Sequence, residues 1–478
     1  MSELRRVSAG IMIAFMLVAL TATYWSVIGA DSLRQREENP RRVLAEAVLR
    51  RGAIYDRQGM LLATTAANYN GSGLRRLYPH PEVAPAVGYY SPRFGVSGVE
   101  ATYDALLRGA IGPTPLETAA RELLHQPATG GDVRLTLDLH VQRAAAEAIG
   151  DQTGAIIVAT LPDGAIRAMV SAPIFNPNVL DEDWDILVGA PDAPLLNRVT
   201  QGIYQPGGVL QTVLLGAAIT YHVPTDTAVP NSTMPVQANG LRLTCARTPP
   251  PRSLTLGEAY AYACPGAFAQ IIGQLSPEII DQAFWRSGLL TRPDLLGLNT
   301  EMADSPLPLT FLRDEEAVTA ALVGQGGLTI TPLQALDVIA AVANGGNVPR
   351  YHLVDAIRLP GADAWEPVQP TGLPRAVLTR QAAEELQQIM QLATTEGAAA
   401  AAQAASEYPV WGHTATAFSG PGAKPLQWFI GMTRLDDEQA VVVVVVIEDS
   451  EVPQQAARIG GYALDAAARA YGPPPLTP

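Results

Sequence analysis

Trp411-Gly412-His413-Thr414-Ala415-Thr416-Ala417, then Gln427-Trp428-Phe429-Ile430-Gly431-Met432, then Ala440 with six consecutive valines, Ile447 and Glu448, is the stretch that decides the fold class. β-Branched and aromatic residues in short runs, separated by Gly, Pro and Asp, read as three strands at 411–417, 427–432 and 440–448. The run at 441–447 is too short to span a membrane and reads as a buried strand. Residues 455–470 follow with helical spacing, and Gly472 with the three prolines behind it cannot extend that helix. Further back, 154–159 and 166–170 flank Pro162-Asp163-Gly164, a hairpin with turn residues in place. A strand at 133–138 leads into a helix at 139–149, with Asp138 as its N-cap. Other helices are expected at 209–219, 256–273, 332–344 and 379–396. Helices mixed with mostly antiparallel strands make the chain α+β rather than a doubly wound sheet.

The 478 residues are 48% hydrophobic and 16% charged, enough for two or three domains and a substantial core, which excludes wholesale disorder. The net charge is −14, and no Lys/Arg-rich run is interleaved with aromatics, which argues against nucleic acid as a partner. Cys245 and Cys264 lie in no metal-ligand spacing, so no metal or other cofactor is expected. In an exported chain the two can pair across an 18-residue loop; otherwise they are small buried hydrophobes.

Residues 7–30 carry no charge, Arg5 and Arg6 precede them, and Tyr24 and Trp25 suit the far interface. That pattern reads as a single-pass anchor with the N-terminus cytoplasmic and the bulk of the chain extracytoplasmic. A cleaved signal peptide is the competing reading, since Ile28-Gly29-Ala30 loosely resembles a cleavage site. The expected organisation is a cytoplasmic tail (1–6), the anchor (7–30), a stalk with a small β-rich juxtamembrane module (31–130), a main domain (131–471) and a flexible tail (472–478). Residues 31–51 read as a helical stalk, 52–55 and 60–63 as a hairpin around Asp56-Arg57-Gln58-Gly59, and Gly130-Gly131 as the boundary.

Several segments, in order, resemble the class B penicillin-binding proteins, the membrane-anchored transpeptidases that cross-link peptidoglycan. They are Arg51-Gly52-Ala53-Ile54-Tyr55-Asp56-Arg57-Gln58-Gly59, then Gly98-Val99-Glu100-Ala101-Thr102-Tyr103-Asp104 with Leu106-Leu107-Arg108-Gly109, and Ser171-Ala172-Pro173-Ile174-Phe175-Asn176-Pro177-Asn178. Gly324-Gln325-Gly326, Thr331-Pro332-Leu333-Gln334 and Ala343-Asn344-Gly345-Gly346 continue the likeness. The resemblance covers nearly all of the chain beyond residue 30 and fits the short elongation or division type. It implies a transpeptidase domain like that of penicillin-binding proteins and serine β-lactamases, with an antiparallel sheet between helical groups.

The family's chemistry needs three clusters, and each is substituted here. Where the resemblance puts Ser-x-x-Lys, Tyr204-Gln205-Pro206-Gly207-Gly208-Val209-Leu210-Gln211-Thr212 has Gly208 in the place of the nucleophile and Gln211 in that of the lysine. Glycine has no nucleophilic atom and an amide is no general base near neutrality. Where Ser-x-Asn would lie, Ala263-Cys264-Pro265 lacks both functional groups, and Cys264 takes a position that points away from the site. Where Lys-Thr-Gly would line the cleft stands His413-Thr414-Ala415; with Thr416 these are the candidate ligand-binding residues, and His413 is expected to carry charge below about pH 6.5. Thr212, four residues after Gly208, is the conceivable substitute nucleophile, but no base accompanies it.

The resemblance therefore implies a catalytically inactive homologue, an interaction subunit of cell-wall synthesis whose partner is a membrane glycan polymerase of the shape, elongation, division and sporulation family. Arg51, Gly52, Asp56, Arg57, Gly59 and Glu100 are the candidate contact residues, with ordinary hairpin packing as the alternative. Two other functions stay open: an active D,D-transpeptidase with an unconventional nucleophile, and a module that holds a peptidoglycan stem peptide non-covalently. An open, polar cleft around Gly208 would favour the last.

Overall fold

The computed structural model describes residues 2–27, 49–67, 73–124, 126, 129–304, 306–452 and 454–473. The expected stalk from 31 to 48, the Ile28-Gly29-Ala30 site and most of the tail lie outside the described residues. Helix α1 (Ser2–Val27) contains a 20-residue apolar stretch, Arg6–Trp25, on which none of the described residues packs. It suits a membrane anchor or a signal sequence.

Strands β1 (Ile54–Tyr55), β2 (Leu61–Ala67) and β3 (Leu74–Leu77) follow. The β1–β2 turn is built by Asp56, whose Oδ1 accepts from the backbone N–H of Gln58 and Met60, both at 2.8 Å, while Gly59 takes φ +87°. Helices α2 (Gly98–Thr102) and α3 (Pro115–Leu123) precede β4 (Asp132–Leu135) and α4 (Leu139–Ile149). The expected strand at 133–138 stops at Leu135, and Asp138 caps α4 by accepting from the His140 N–H.

The main domain continues with β5 (Gly154–Leu161), β6 (Ile166–Ala172), α5 (Val209–Thr220), β7 (Val236–Ala238), β8 (Leu241–Leu243), α6 (Leu256–Ala261) and α7 (Pro332–Ala343). Strands β9 (Val354–Arg358) and β10 (Glu366–Pro367) and helix α8 (Arg380–Thr395) come next. The chain closes with β11 (Trp411–Phe418), β12 (Pro425–Arg434), β13 (Ala440–Ile447) and α9 (Gln455–Tyr471).

Two sheets organise these elements. In the main domain the order is β11-β12-β13-β5-β6, antiparallel at every pairing. Val442, Val444 and Val446 join the hydrophobic cluster that contains α5 and α7, whereas Val441, Val443 and Val445 join the cluster of α4 and α9. Helices cover both faces, which is why a strand in an antiparallel sheet reads as an unbroken valine run instead of alternating with polar residues. The α+β architecture with its sheet between helical groups is as expected.

The second sheet, β10-β9-β4-β1-β2-β3, draws strands from both sides of Gly130-Gly131. β1 pairs parallel with β4 and antiparallel with β2. Ile54, Leu62 and Val133 lie in the same cluster as the α5 and α7 residues, so the juxtamembrane module and the main domain share one core.

The single helix expected at 256–273 is broken into α6, a short helix Pro265–Ala269 and a 3-10 turn Ile271–Gly273. Ala263 is left-handed at φ +49°, and Pro265 holds Cys264 extended. Helices Leu180–Gly189, Pro277–Arg286 and Glu315–Leu322 were not among the expected elements.

Of the two readings of the cysteines, the structure takes the covalent one: Cys245 and Cys264 form a disulfide. It closes a loop of about twenty residues, for which chain entropy gives roughly 3 kcal/mol. The double variant Cys245→Ala, Cys264→Ala is expected to unfold at lower denaturant by about that free energy. An unchanged midpoint would show that the bond leaves the unfolded ensemble unconstrained.

Candidate active-site cleft

Helix α5 begins where two glycines let the backbone pass close to β11. Gly207 is left-handed (φ +50°), and a Cβ there would lie 2.3 Å from the Thr416 carbonyl oxygen. Gly208 is the N-cap residue of α5, and a Cβ on it would meet Ala415 Cβ at 3.1 Å and Gln211 Nε2 at 3.4 Å. The start of α5, the kink at Ala263 and Pro265, and Ala415 with Thr416 on β11 therefore converge on one cleft, of about 280 Å³. Gly208, Gln211, Ala263, Pro265, Ala415 and Thr416, six of the eight substituted-motif residues singled out in the sequence, line it together.

The other two do not. Thr414 is not among the lining residues, and its hydroxyl donates to the Trp428 carbonyl at 2.9 Å. His413 is buried, stacked on Tyr260 with ring centroids 3.9 Å apart, and neither ring nitrogen has a well-formed hydrogen bond. Desolvation lowers its pKa to about 3, with the Gly208 backbone only partly opposing. The expected charge below pH 6.5 is thus corrected: the imidazole is neutral across the physiological range.

This makes a pH prediction. An unfolded histidine titrates near 6.5 and the folded one near 3, so between these values the unfolded chain binds more protons. The contribution of His413 to stability is complete above about pH 6.5 and is lost, by roughly 1.4 kcal/mol per unit, as pH falls towards 3. Imidazole resonances followed by NMR should show no protonation of His413 at pH 5; a midpoint near 6 would refute its burial.

Thr212 also misses the cleft, its hydroxyl 2.9 Å from that of buried Tyr260. Cys264 is fully buried in its disulfide, while Cys245 reaches the cleft wall. Gln211 is buried, and its Oε1 accepts no hydrogen bond from any described residue.

Sequence reading missed Arg242 and Thr244, which line the cleft from the β7–β8 hairpin and beyond it. A signal was present: Asn239-Gly240 between short alternating runs, with both residues at positive φ (+49° and +73°), is a two-residue hairpin turn. Arg242 is the one charged side chain among the lining residues, and no carboxylate, lysine, histidine or tyrosine accompanies it. The cleft thus offers a guanidinium, an amide and two threonine hydroxyls, groups that hydrogen-bond a polar or anionic ligand.

The candidate contact residues of the juxtamembrane module are mostly internal. Arg51 and Glu100 form a buried ion pair at 2.6 Å, and Asp56 is fully buried, its Oδ2 accepting from the Leu139 N–H at 3.3 Å. A Cβ on Gly52 would lie 1.8 Å from the Gly131 carbonyl oxygen. These four have structural roles inside the fold, which favours the packing alternative for them. Arg57 and Gly59 remain accessible, Arg57 pairing with Asp138 and lying over the Tyr471 ring.

Comparison with known proteins places these features in a family. Residues 154–469 match the penicillin binding protein transpeptidase domain, and residues 51–133 match the penicillin binding protein A dimerisation domain. The chain is 30% identical to the peptidoglycan D,D-transpeptidase PbpA of Mycolicibacterium smegmatis, with 93% of each protein covered. It is 28% identical to PbpA of Mycobacterium tuberculosis, with 90% of each covered. The D,D-transpeptidase domain of a peptidoglycan glycosyltransferase from Eggerthella lenta superposes with a TM-score of 0.76 at 26% identity, over 88% of this chain and 99% of that one. An imipenem acyl-enzyme of M. tuberculosis penicillin-binding protein A has the same fold, with a TM-score of 0.77 at 24% identity over 88% of this chain and 99% of that one.

Proposed function

The chain belongs to the class B penicillin-binding proteins, in the D,D-transpeptidase family of PbpA and MrdA, and on that premise we propose that it is a non-catalytic member, an interaction subunit of peptidoglycan synthesis. The observation that carries this reading is the lining of the cleft at the start of α5, which includes Gly208 and Gln211, the residues that the sequence resemblance sets against the family's serine and lysine. A nucleophile and a base are both needed to take an acyl group; the lining residues include no serine, and no base to activate the Thr244 and Thr416 hydroxyls. Other nucleophiles are occupied: Cys264 is in its disulfide and the Thr212 hydroxyl is engaged with Tyr260. These same facts weigh against an unconventional transpeptidase.

In this reading α1 is a single-pass anchor with Arg5 and Arg6 on the cytoplasmic side, and the disulfide fits an oxidising, extracytoplasmic compartment. The partner is a multi-spanning glycan polymerase engaged by the anchor and the juxtamembrane module. The test is intact mass of the chain after incubation with benzylpenicillin. An unmodified mass supports the reading; a stoichiometric adduct overturns it, and the modified peptide would identify the nucleophile.

A second reading is favoured by the open cleft and the buried, unsatisfied Gln211 Oε1: non-covalent retention of a stem peptide, with Arg242 and Thr416 on a carboxylate. A buried acceptor left without a donor is destabilising, and a ligand amide would satisfy it. Titration with a synthetic stem pentapeptide should then release heat that Arg242→Ala abolishes. No heat from the unaltered chain would leave the scaffold reading alone.

A further inference from the structure

The excursion between Gly109 and Thr129 leaves the juxtamembrane module and returns to it at one place. Gly52 N–H donates to the Leu107 carbonyl and Gly130 N–H to the Arg50 carbonyl, each at 2.9 Å, and Arg50 bridges to Thr129. Both ends of the excursion are thus fastened to Arg50–Gly52, the point where the chain arriving from α1 enters the folded body.

Helix α3 within this excursion is locally encoded. The Thr114 N–H donates to the Glu117 carboxylate at 2.7 Å and the Glu117 N–H to the Thr114 hydroxyl at 3.3 Å, a reciprocal cap with Pro115 at the first helical position. Leu116 and Leu123 are seven residues apart on α3 and share a face, with Glu117 and Arg121 roughly 100° and 140° round the helix from Leu116; Leu124 follows the last residue of the helix. These side chains are largely uncovered by the described residues: Leu116 and Leu123 are 80% exposed, Leu124 66%, and Ile111 just upstream 50%.

We propose that α3 and Ile111 lie in the interface of the bilayer that α1 crosses, as a second, peripheral membrane contact. This rests on reading α1 as an anchor. Three things favour lipid over protein as the occupant. The excursion is rooted where the tether enters. Two leucines on a nine-residue helix, flanked by Ile111 and Leu124, cover less than the ~800 Å² per partner of a standard protein interface. Lipid requires no shape match, and a chain already tethered needs only weak interfacial affinity to stay down. The helix carries Glu117, Arg121 and Glu122, a net charge of −1, so the contact rests on its apolar side chains and not on attraction to anionic lipid.

The test uses the full chain reconstituted in vesicles of phosphatidylethanolamine and phosphatidylglycerol, without reductant so that the native disulfide takes no label. Nitroxides at Leu116→Cys and at Leu123→Cys are expected to be several-fold more accessible to oxygen than to a water-soluble nickel chelate. Glu117→Cys should show the reverse. Equal aqueous exposure at all three overturns the proposal. Shielding of Leu123→Cys from both reagents, with dipolar broadening between labels, would assign the face to a second copy instead. Leu17→Cys, inside α1, separates the two failures: if it sits in lipid while α3 sits in water, only the α3 contact falls, whereas an aqueous Leu17→Cys removes the anchor and the proposal with it.

Discussion

Glu100→Ala is expected to destabilise the chain by about 3–5 kcal/mol, the range for removing one partner of a buried ion pair. The carboxylate on α2 is fully buried and holds two arginines: Arg51 Nε on Oε2 and Arg76 Nε on Oε1, each at 2.6 Å. Tyr78 adds its hydroxyl at 3.3 Å, and Arg51 also donates to the Glu100 carbonyl at 2.8 Å. Burial pulls the Arg51 pKa down, but Glu100 and Asp104 more than reverse it, a sign that the guanidinium depends on its carboxylates. Without Glu100, two buried cations keep the part-exposed Asp104 as their one carboxylate among the described residues, with backbone oxygens, the Thr65 hydroxyl and the Tyr90 ring beside them. Asp104→Ala is the control and should cost under about 1 kcal/mol, since its side chain is 31% exposed. Calorimetry of both variants decides the matter; equal losses would mean that Glu100 is no more than a packing residue.

The second large effect is chemical. Loss of a serine nucleophile alone lowers serine-hydrolase turnover on the order of a millionfold, and further losses from the same machinery then add little. Acylation by benzylpenicillin is therefore expected to run roughly 10⁶-fold slower than in a serine-bearing relative, below detection over hours. Gly208→Ser with Gln211→Lys will not repair this alone, because the new Cβ meets the Ala415 methyl at 3.1 Å. Adding Ala415→Gly opens that contact, and intact mass should show more adduct for the triple variant than for the double. Full activity is not expected from either, because Ala263 and Pro265 carry no relay group and His413 is neutral. A double variant acylating as fast as the triple would show that Ala415 obstructs nothing.

The strands of the central sheet were legible because the valine run, the Asp163-Gly164 turn and the Asp138 cap are local signals, each tied to a backbone geometry. The juxtamembrane sheet was only half legible. Its strand β1 is two residues long, and β9, the partner of β4, comes more than two hundred residues after β4, so no local pattern announces the pairing. The convergence of Gly208, Gln211, Ala263, Pro265, Ala415 and Thr416 followed from family likeness, not from spacing. What the likeness could not supply was environment. The His-Thr pattern says nothing of Tyr260 stacking on the imidazole, and Arg51 and Glu100 read as surface charges until their burial is seen.

The place of β1 in its sheet has a mechanical consequence. In the reading of α1 as an anchor, tension arriving from the membrane side does not act on an edge strand, which could be peeled away one hydrogen bond at a time. It acts on an interior strand flanked by β2 and β4, and so loads both seams in shear at once. Arg51, one turn of chain upstream, is latched by its carboxylates before the load reaches β1. Strain in the growing wall would therefore be borne by the body as a whole, and the cleft would ride on its tether as a stiff mast instead of a swinging flag.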